Sequence, residues 1–283
     1  MEMKNMVNSA QLHYKSETRV LVLLIIVSVL SALGVQAGEI ISEASGFVGH
    51  LQGIAADETG VYWSFYDTIL KTDYAGKTLA SVKIPRHAGD LCAADGKVYV
   101  SVTYYDTKMV AESGGSGWVY VYDQKLNFLQ KKALLDTPRP DGITFLKDKF
   151  YIAGDDFGKE PHPLNTISIY DKEFVFERKI TIDIGKPTQY GAQTLNAFNE
   201  RILASFYAKD GNTIFLEPPD LKPCEFFPVS LNVGFAVVPP ELTAGRKLFL
   251  AARLFGTRGD WRGKAVIYEL RDGKPVQAEL QNK

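Results

Sequence analysis

An internal repeat constrains the fold of this chain more than any other feature of its sequence. Five successive segments, beginning at Gly49, can be aligned with one another. Each contains four short runs rich in Val, Ile, Leu, Tyr and Phe, and the runs are separated by Gly, Asp, Asn or Lys. Short apolar runs bounded by turn residues indicate β-strands, and residues 38–283 show no sustained helical period. The chain is therefore predicted to be all-β.

Four strands repeated around an axis are typical of a β-propeller. Five such repeats give about twenty strands, whereas a β-sandwich needs only about seven to nine. Residues 38–283 divided by five give roughly 49 residues per blade, slightly more than the ~40–45 that a blade usually contains. We therefore predict one domain over 38–283, a five-bladed β-propeller with four antiparallel strands per blade. The blades are predicted at approximately residues 49–86, 87–138, 139–186, 187–231 and 232–283.

A further strand is predicted before the first repeat. Residues 39–47 read EIISEASGF and are predicted to form one more strand, whose place within a blade the sequence leaves open. We expect this strand to pair with the last blade, so that the two ends of the domain close the ring.

Residues 1–37 have the organisation of a secretory signal peptide. Basic residues up to Arg19 precede an apolar run that starts at Val20, and small residues end the run near Ala37. This order is typical of a cleaved signal. The alternative is a retained anchor, because a segment of about 18 residues, from Val20 to Ala37, lies at the lower limit for a membrane span. We predict removal of 1–37 and a secreted or periplasmic protein that is not attached to the membrane.

Charge and cysteine content exclude several classes of protein. The 32 Lys and Arg nearly balance the 33 Asp and Glu, so the basic surface that nucleic-acid binding requires is not expected. The two cysteines, Cys92 and Cys224, fall in non-adjacent blades. A disulfide needs Cα atoms within about 7 Å, so both are predicted to be free thiols, with Cys92 buried. We expect a monomer.

Polar residues recur where the first strand of each blade begins. In a propeller this strand lines the central channel, so its first residues lie at one mouth. Alignment on the second strands gives three equivalent sets: His50, His87, Arg139 and Gly191; Gln52, Gly89, Asp141 and Gln193; Gly53, Asp90, Gly142 and Thr194. Two histidines thus occupy equivalent positions at the predicted mouth.

Three long connections between second and third strands are expected at the same mouth. They span 105–116, 155–164 and 254–263. Long loops on one face of a rigid scaffold are a common location for function. They and the adjoining strand ends carry Tyr104, Tyr105, Asp106, Asp155, Asp156, His162, Arg253, Arg258, Asp260, Trp261 and Arg262. Aromatic, acidic and basic side chains together suit a polar ligand with apolar faces, such as a sugar.

These residues are assigned two roles. Proton transfer is expected from Asp155, Asp156, His50 and His87. Ligand binding is expected from Gln52, Asp90, Arg139, Asp141, Gln193, Tyr104, Arg253 and Trp261.

Each assignment has a simpler alternative. His50 and His87 can instead only hydrogen-bond backbone groups, or bind a divalent metal ion with Asp90 or Asp141. The pair 155–156 can be a solvated turn.

The repeat also resembles known propellers. HLQGI at 50–54, followed by YWS at 62–64 and TILKTD at 68–73, resembles secreted bacterial five-bladed propellers of largely unknown function whose blades open with His-x-Gln-Gly. A more distant likeness is to the glutaminyl cyclotransferases, in which a Gln-Gly-Leu element is similar to Gln52-Gly53-Ile54. The acidic element expected after it is replaced by WSFY at 63–66, so that activity is not carried over.

The sequence therefore predicts a secreted propeller that binds a carbohydrate or a similar polar ligand, neutral or anionic, at the mouth of its channel. Small molecules and polysaccharides are the expected partners. Cleavage of the saccharide by a glycosidase- or lyase-type reaction is one open outcome. The alternative is a non-catalytic propeller that only recognises a ligand or a protein.

Overall fold

A computed structural model shows a ring of five four-stranded antiparallel sheets, which confirms the predicted five-bladed β-propeller. The first four sheets each contain four strands in chain order, from the channel outward. The structure describes residues 38–154, 165–185, 188, 190–206, 212–231 and 233–280.

Each of the first four blades contains four consecutive strands. Blade one contains β2 (Leu51–Asp57), β3 (Gly60–Phe65), β4 (Thr68–Thr72) and β5 (Thr78–Lys83). Blade two contains β6 (Ala88–Ala94), β7 (Lys97–Thr103), β8 (Gly117–Asp123) and β9 (Phe128–Ala133). Blade three contains β10 (Pro140–Leu146), β11 (Lys149–Gly154), β12 (Asn165–Asp171) and β13 (Phe176–Ile182). Blade four contains β14 (Ala192–Phe198), β15 (Arg201–Phe206), β16 (Asn212–Glu217) and β17 (Lys222–Phe227).

Blade five closes the ring with both ends of the domain. Its first three strands are β18 (Phe235–Val237), β19 (Leu248–Ala252) and β22 (Lys264–Arg271). Two short strands share the outermost position: β1 (Glu39–Ile41) pairs with the beginning of β22, and β23 (Lys274–Gln277) pairs with its end. Of the segment 39–47, Glu39–Ile41 therefore forms a strand that pairs with the last blade.

Apolar side chains fill the spaces between neighbouring blades. Each of the five interfaces has its own buried cluster, so burial of apolar surface holds the ring together. Representative members of these clusters are Trp63 and Ile267 between blades one and five, Tyr62 and Val100 between one and two, Val121 and Ile152 between two and three, Ile167 and Ala204 between three and four, and Phe215 and Phe249 between four and five. Cys92 is buried and Cys224 is exposed, and both are free, as predicted.

Two of the predicted loops contain regular structure. Helix α1 (Thr107–Ser113) lies between β7 and β8, and the Asp106 carboxylate caps its first turn. A hairpin of β20 (Phe255–Thr257) and β21 (Asp260–Arg262) lies between β19 and β22. A 3₁₀ turn (Pro240–Leu242) precedes β19. None of the helices in the described part of the chain has the length and apolar character needed to cross a membrane.

Candidate functional site

The first strands of blades one to four share a backbone irregularity near their first residues. The ladder with the second strand shifts register between Leu51 and Gly53, between Ala88 and Leu91, between Pro140 and Ile143, and between Ala192 and Thr194. These β-bulges are equivalent, which supports the alignment made from sequence. Bulges redirect side chains and are enriched beside functional sites.

The bulges contain four of the polar residues predicted at the mouth. They include Gln52 of β2, Asp90 of β6, Asp141 of β10 and Gln193 of β14. We call the channel opening at which these four strands begin the front mouth, and the opposite opening the rear mouth.

A pocket of about 320 Å³ occupies the front mouth. It falls at the lower end of the roughly 300–1,000 Å³ range of small-molecule sites. Side chains of four different blades line it: His50, Gln52, His87, Tyr105, Asp141, Tyr190 and Gln193. All seven carry hydrogen-bonding groups, and four also present a ring.

His87 is a neutral, partly buried ring in this pocket. The Tyr66 ring packs edge-on against it with centroids 4.6 Å apart, and the Tyr105 ring lies 5.9 Å away. Burial, with the nearby His50, lowers the pKa of His87 from the usual 6.5 to about 4. Its Nδ1 has no hydrogen-bond partner among the described residues. At neutral pH this imidazole therefore offers hydrogen bonding without charge.

His50 is exposed at the rim of the pocket. Its Nδ1 lies 3.0 Å from the Leu51 carbonyl oxygen and 3.3 Å from Gln52 Nε2. The carbonyl oxygen can only accept and the Gln52 amide nitrogen can only donate, so Nδ1 bonds the first when it carries a proton and the second when it does not. The edge of the ring faces Trp261, with centroids 6.1 Å apart.

Residues of blades two, three and four meet on the other side of the pocket. Gln193 donates from Nε2 to Asp141 Oδ2 at 3.4 Å and to the Tyr190 carbonyl oxygen at 3.3 Å. The Arg139 guanidinium lies 6.0 Å from the centre of the Tyr105 ring. Asp141 and Gln193 thus present an acceptor and an amide close together, an arrangement suited to neighbouring hydroxyl groups.

Several predicted site residues lie elsewhere. Tyr104 is only 3% exposed, packs in the core between blades one and two, and bonds the Tyr120 hydroxyl. Arg253 donates to the carbonyl oxygens of Ser230 and Ala252 rather than lining the pocket. Asp90 is fully buried inside the channel.

Two further assignments concern the rim. Trp261 lies on β21, where it is half-buried against the core and beside His50. Asp155 and Asp156 lie outside the described residues. Tyr190 was not predicted, although it immediately precedes Gly191, the blade-four equivalent of His50.

The described residues do not form the predicted metal site. No three His, Cys, Asp or Glu side chains in the described part of the chain are grouped so that they could hold a metal ion. His50 and His87 come together at the pocket, but Asp90 directs Oδ2 to backbone N–H groups. The proposed set of two histidines with Asp90 or Asp141 is therefore not assembled.

Comparison with known proteins supports the fold. No family model matches the chain, and no curated protein sequence matches it. The crystal structure of Myxococcus xanthus glutaminyl cyclase is similar with a TM-score of 0.58 and 10% identity, covering 82% of this chain and 95% of that one. CoXyl43, a GH43 β-xylosidase/α-arabinofuranosidase from a compost microbial metagenome solved with xylotriose, gives a TM-score of 0.53 and 12% identity, covering 88% and 99%. At such low sequence identity, the similarity supports the fold alone and carries no function over to this chain.

Proposed function

We propose that this protein binds a saccharide in the pocket at the front mouth of its channel. The observation that carries the proposal is the convergence of seven hydrogen-bonding side chains from four blades on one pocket of about 320 Å³. A site of this kind, concave and with a few placed polar groups, is the usual form of a small-molecule site.

The chemistry of the lining favours a neutral, hydroxyl-rich ligand. Gln52 and Gln193 each offer both a donor and an acceptor, and Asp141 offers acceptors. Burial keeps His87 uncharged at neutral pH. The rings of Tyr105 and Tyr190 supply flat surfaces against which the C–H face of a sugar packs. The volume suits a ligand of one or two rings.

Binding is proposed in preference to cleavage. Glycoside hydrolysis ordinarily uses two carboxyl groups on either side of the bond. Asp141 is the carboxyl group that lines the pocket within the described part of the chain. Turnover is therefore an outcome for the experiment rather than a part of the proposal.

The place of action is also a proposal. The basic, apolar and small residues of 1–37 support export and removal of this segment. We infer that the propeller meets its ligand outside the cytoplasm, where free saccharides and cell-wall polymers are accessible.

The test is a binding screen with linear trisaccharides of xylose, glucose, galactose and galacturonic acid. Isothermal titration measures the dissociation constant, with and without EDTA, and chromatography of the recovered sugar detects cleavage. Gln193→Ala should weaken binding of the best probe about tenfold, because it removes donor and acceptor contacts worth ~1–1.5 kcal/mol.

The matched control is Gln124→Ala, since Gln124 lines a separate cavity at the rear mouth. This variant should bind as the unmodified protein does. Equal losses in both variants, or no binding of any probe, would contradict the proposed site.

A further inference from the structure

Asp90 is a carboxyl group buried in the channel directly behind the pocket. It lies at the bulge of β6 and is 0% exposed. Oδ2 accepts the backbone N–H of Leu195 on β14 at 2.9 Å and that of Ile143 on β10 at a longer 3.4 Å. One side chain of blade two therefore reaches blades three and four, and blade four is not its neighbour in the ring.

The two N–H groups belong to β10 and β14, which are the innermost strands of their blades. Among the described residues, no further strand pairs with them on the channel side. Half of the backbone groups of such an edge strand have no partner within the sheet, and an unpaired buried N–H is costly. Asp90 supplies the missing acceptor for Leu195 and Ile143. Few side chains can do so, because the acceptor must stand in the channel itself.

The residues that Asp90 holds lie next to the pocket. Ile143 is two residues after Asp141, and Leu195 is two residues after Gln193, so each N–H group that Asp90 binds lies within two residues of a pocket side chain. Asp141 and Gln193 contact each other across the two blades. The separation of β10 and β14, which the Asp90 carboxyl spans, therefore sets the distance between these two pocket residues.

The burial of Asp90 disfavours the charged form of its carboxyl group. Burial is the largest influence and, with the nearby Asp141, raises the pKa of Asp90 well above its ordinary value, although backbone N–H groups oppose the shift. Oδ1 has no hydrogen-bond partner among the residues that the structure describes. An asparagine has the same shape, retains an acceptor for the two N–H groups and carries no charge.

Blade one accommodates the Asp90 side chain because residue 53 is a glycine. A Cβ atom added to Gly53 would lie 2.2 Å from Asp90 Oδ1 and 2.7 Å from its Cα. Only glycine at position 53 allows the carboxyl to remain where it is.

We propose that Asp90 is a positioning residue for the saccharide pocket: from inside the channel it fixes β10 against β14 and thereby the spacing of Asp141 and Gln193. The proposal rests on the proposed function only for the ligand. The backbone link itself is measured without any ligand.

The experiment compares Asp90→Asn and Asp90→Ala by NMR, with amide hydrogen exchange of Leu195 and the side-chain amide resonances of Gln193 as readouts. In Asp90→Ala we expect the Leu195 amide to exchange about tenfold faster and the Gln193 resonances to shift. Asp90→Asn should stay within about threefold of the unmodified exchange rate and should leave Gln193 unchanged.

Thr144→Val is the matched control. Thr144 Oγ1 accepts the Ala197 N–H at 2.9 Å, so it also joins β10 to β14, but it lines a separate cavity deeper in the channel. This variant should speed exchange at Ala197 and leave Gln193 unaffected. If Asp90→Ala does not fold, Gly53→Ala takes its place, because the added methyl group displaces the same carboxyl. We then expect the same faster exchange at Leu195 and the same shift of the Gln193 resonances.

Unchanged Leu195 exchange in Asp90→Ala, or an equal disturbance in Asp90→Asn, would overturn the proposal. A saccharide titration then separates it from the proposed function. If the best trisaccharide binds the unmodified protein, Asp90→Ala should weaken its binding about tenfold and Asp90→Asn should restore it. If no trisaccharide binds, the proposed ligand fails while the exchange and Gln193 measurements still decide the role of Asp90.

Discussion

Acidification should destabilise this propeller through His87. The folded protein holds the ring neutral, with a pKa lowered from 6.5 to about 4 by burial and by His50. In the unfolded chain the same ring takes up a proton near pH 6.5. The unfolded state therefore binds more protons between these two values, and the stabilisation present above pH 6.5 is lost as the pH falls. For this one group the loss between pH 7 and 4.5 amounts to about 2.5 kcal/mol of unfolding free energy.

Other groups also titrate in this range, so a variant must isolate the effect. His87→Phe keeps a ring against Tyr66, which contacts the imidazole edge-on at 4.6 Å, and removes the proton. Urea unfolding followed by tryptophan fluorescence at pH 7 and 4.5 gives the free energy for each protein. The difference between the two pH values should shrink by about 2 kcal/mol in His87→Phe.

His50→Phe is the control, because His50 is exposed at the rim. It should retain most of the pH dependence of the unmodified protein. If His87→Phe lost stability on acidification as steeply as the unmodified protein, the assignment of a buried neutral ring would be refuted.

Three further predictions concern the rest of the chain. Cys224 should react with a thiol reagent in the native protein, whereas Cys92, whose pKa burial raises, should react only after unfolding; rapid labelling of Cys92 in a Cys224→Ser variant would contradict the fold around it. Ile40→Ala should cost about 2–4 kcal/mol of unfolding free energy, because Ile40 is 2% exposed in the strand that closes the ring. The control is Val48→Ala at an exposed position, which should change the free energy of unfolding by less than about 0.5 kcal/mol. If both variants lost the same free energy of unfolding, β1 would not be the strand that closes the ring. Mass spectrometry of the exported protein should give a chain that begins at Gly38, and a chain retaining the apolar run would favour an anchor.

The internal repeat made it possible to predict the fold and the residues that meet at the front mouth. Because the four inner strands carry equivalent runs, aligning them was enough to place His50 beside His87, and Asp141 beside Gln193. The structure brings all four to one pocket. A repeated sequence carries this information because each blade buries the same faces against its neighbours.

The direction of single side chains was not predictable in the same way. Tyr104 and Tyr105 are adjacent in sequence, but the first is buried in the core and the second lines the pocket. Successive residues of an extended chain point to opposite sides, so an error of one position reverses the assignment. Asp90 is a related case, because it lies at the bulge of β6 next to the mouth but its carboxyl is buried in the channel and accepts backbone N–H groups.

The short helix α1, in the connection between β7 and β8, was also not predicted from the sequence. Helix α1 has only seven residues, none of them fully buried, so it leaves no apolar period to detect. Its Asp106 cap and the Gly114 that ends it are both visible in the sequence. Together they are the start and stop signals from which such a helix is recognised.

The proposed function depends most on where a saccharide binds. NMR titration of the isotopically labelled propeller with the tightest-binding trisaccharide measures this directly. We predict that the perturbed signals map to His50, Gln52, His87, Asp141 and Gln193 at the front mouth, while Gln124 at the rear mouth stays unchanged. Perturbations confined to the rear mouth or to the outer strands would contradict the proposed function.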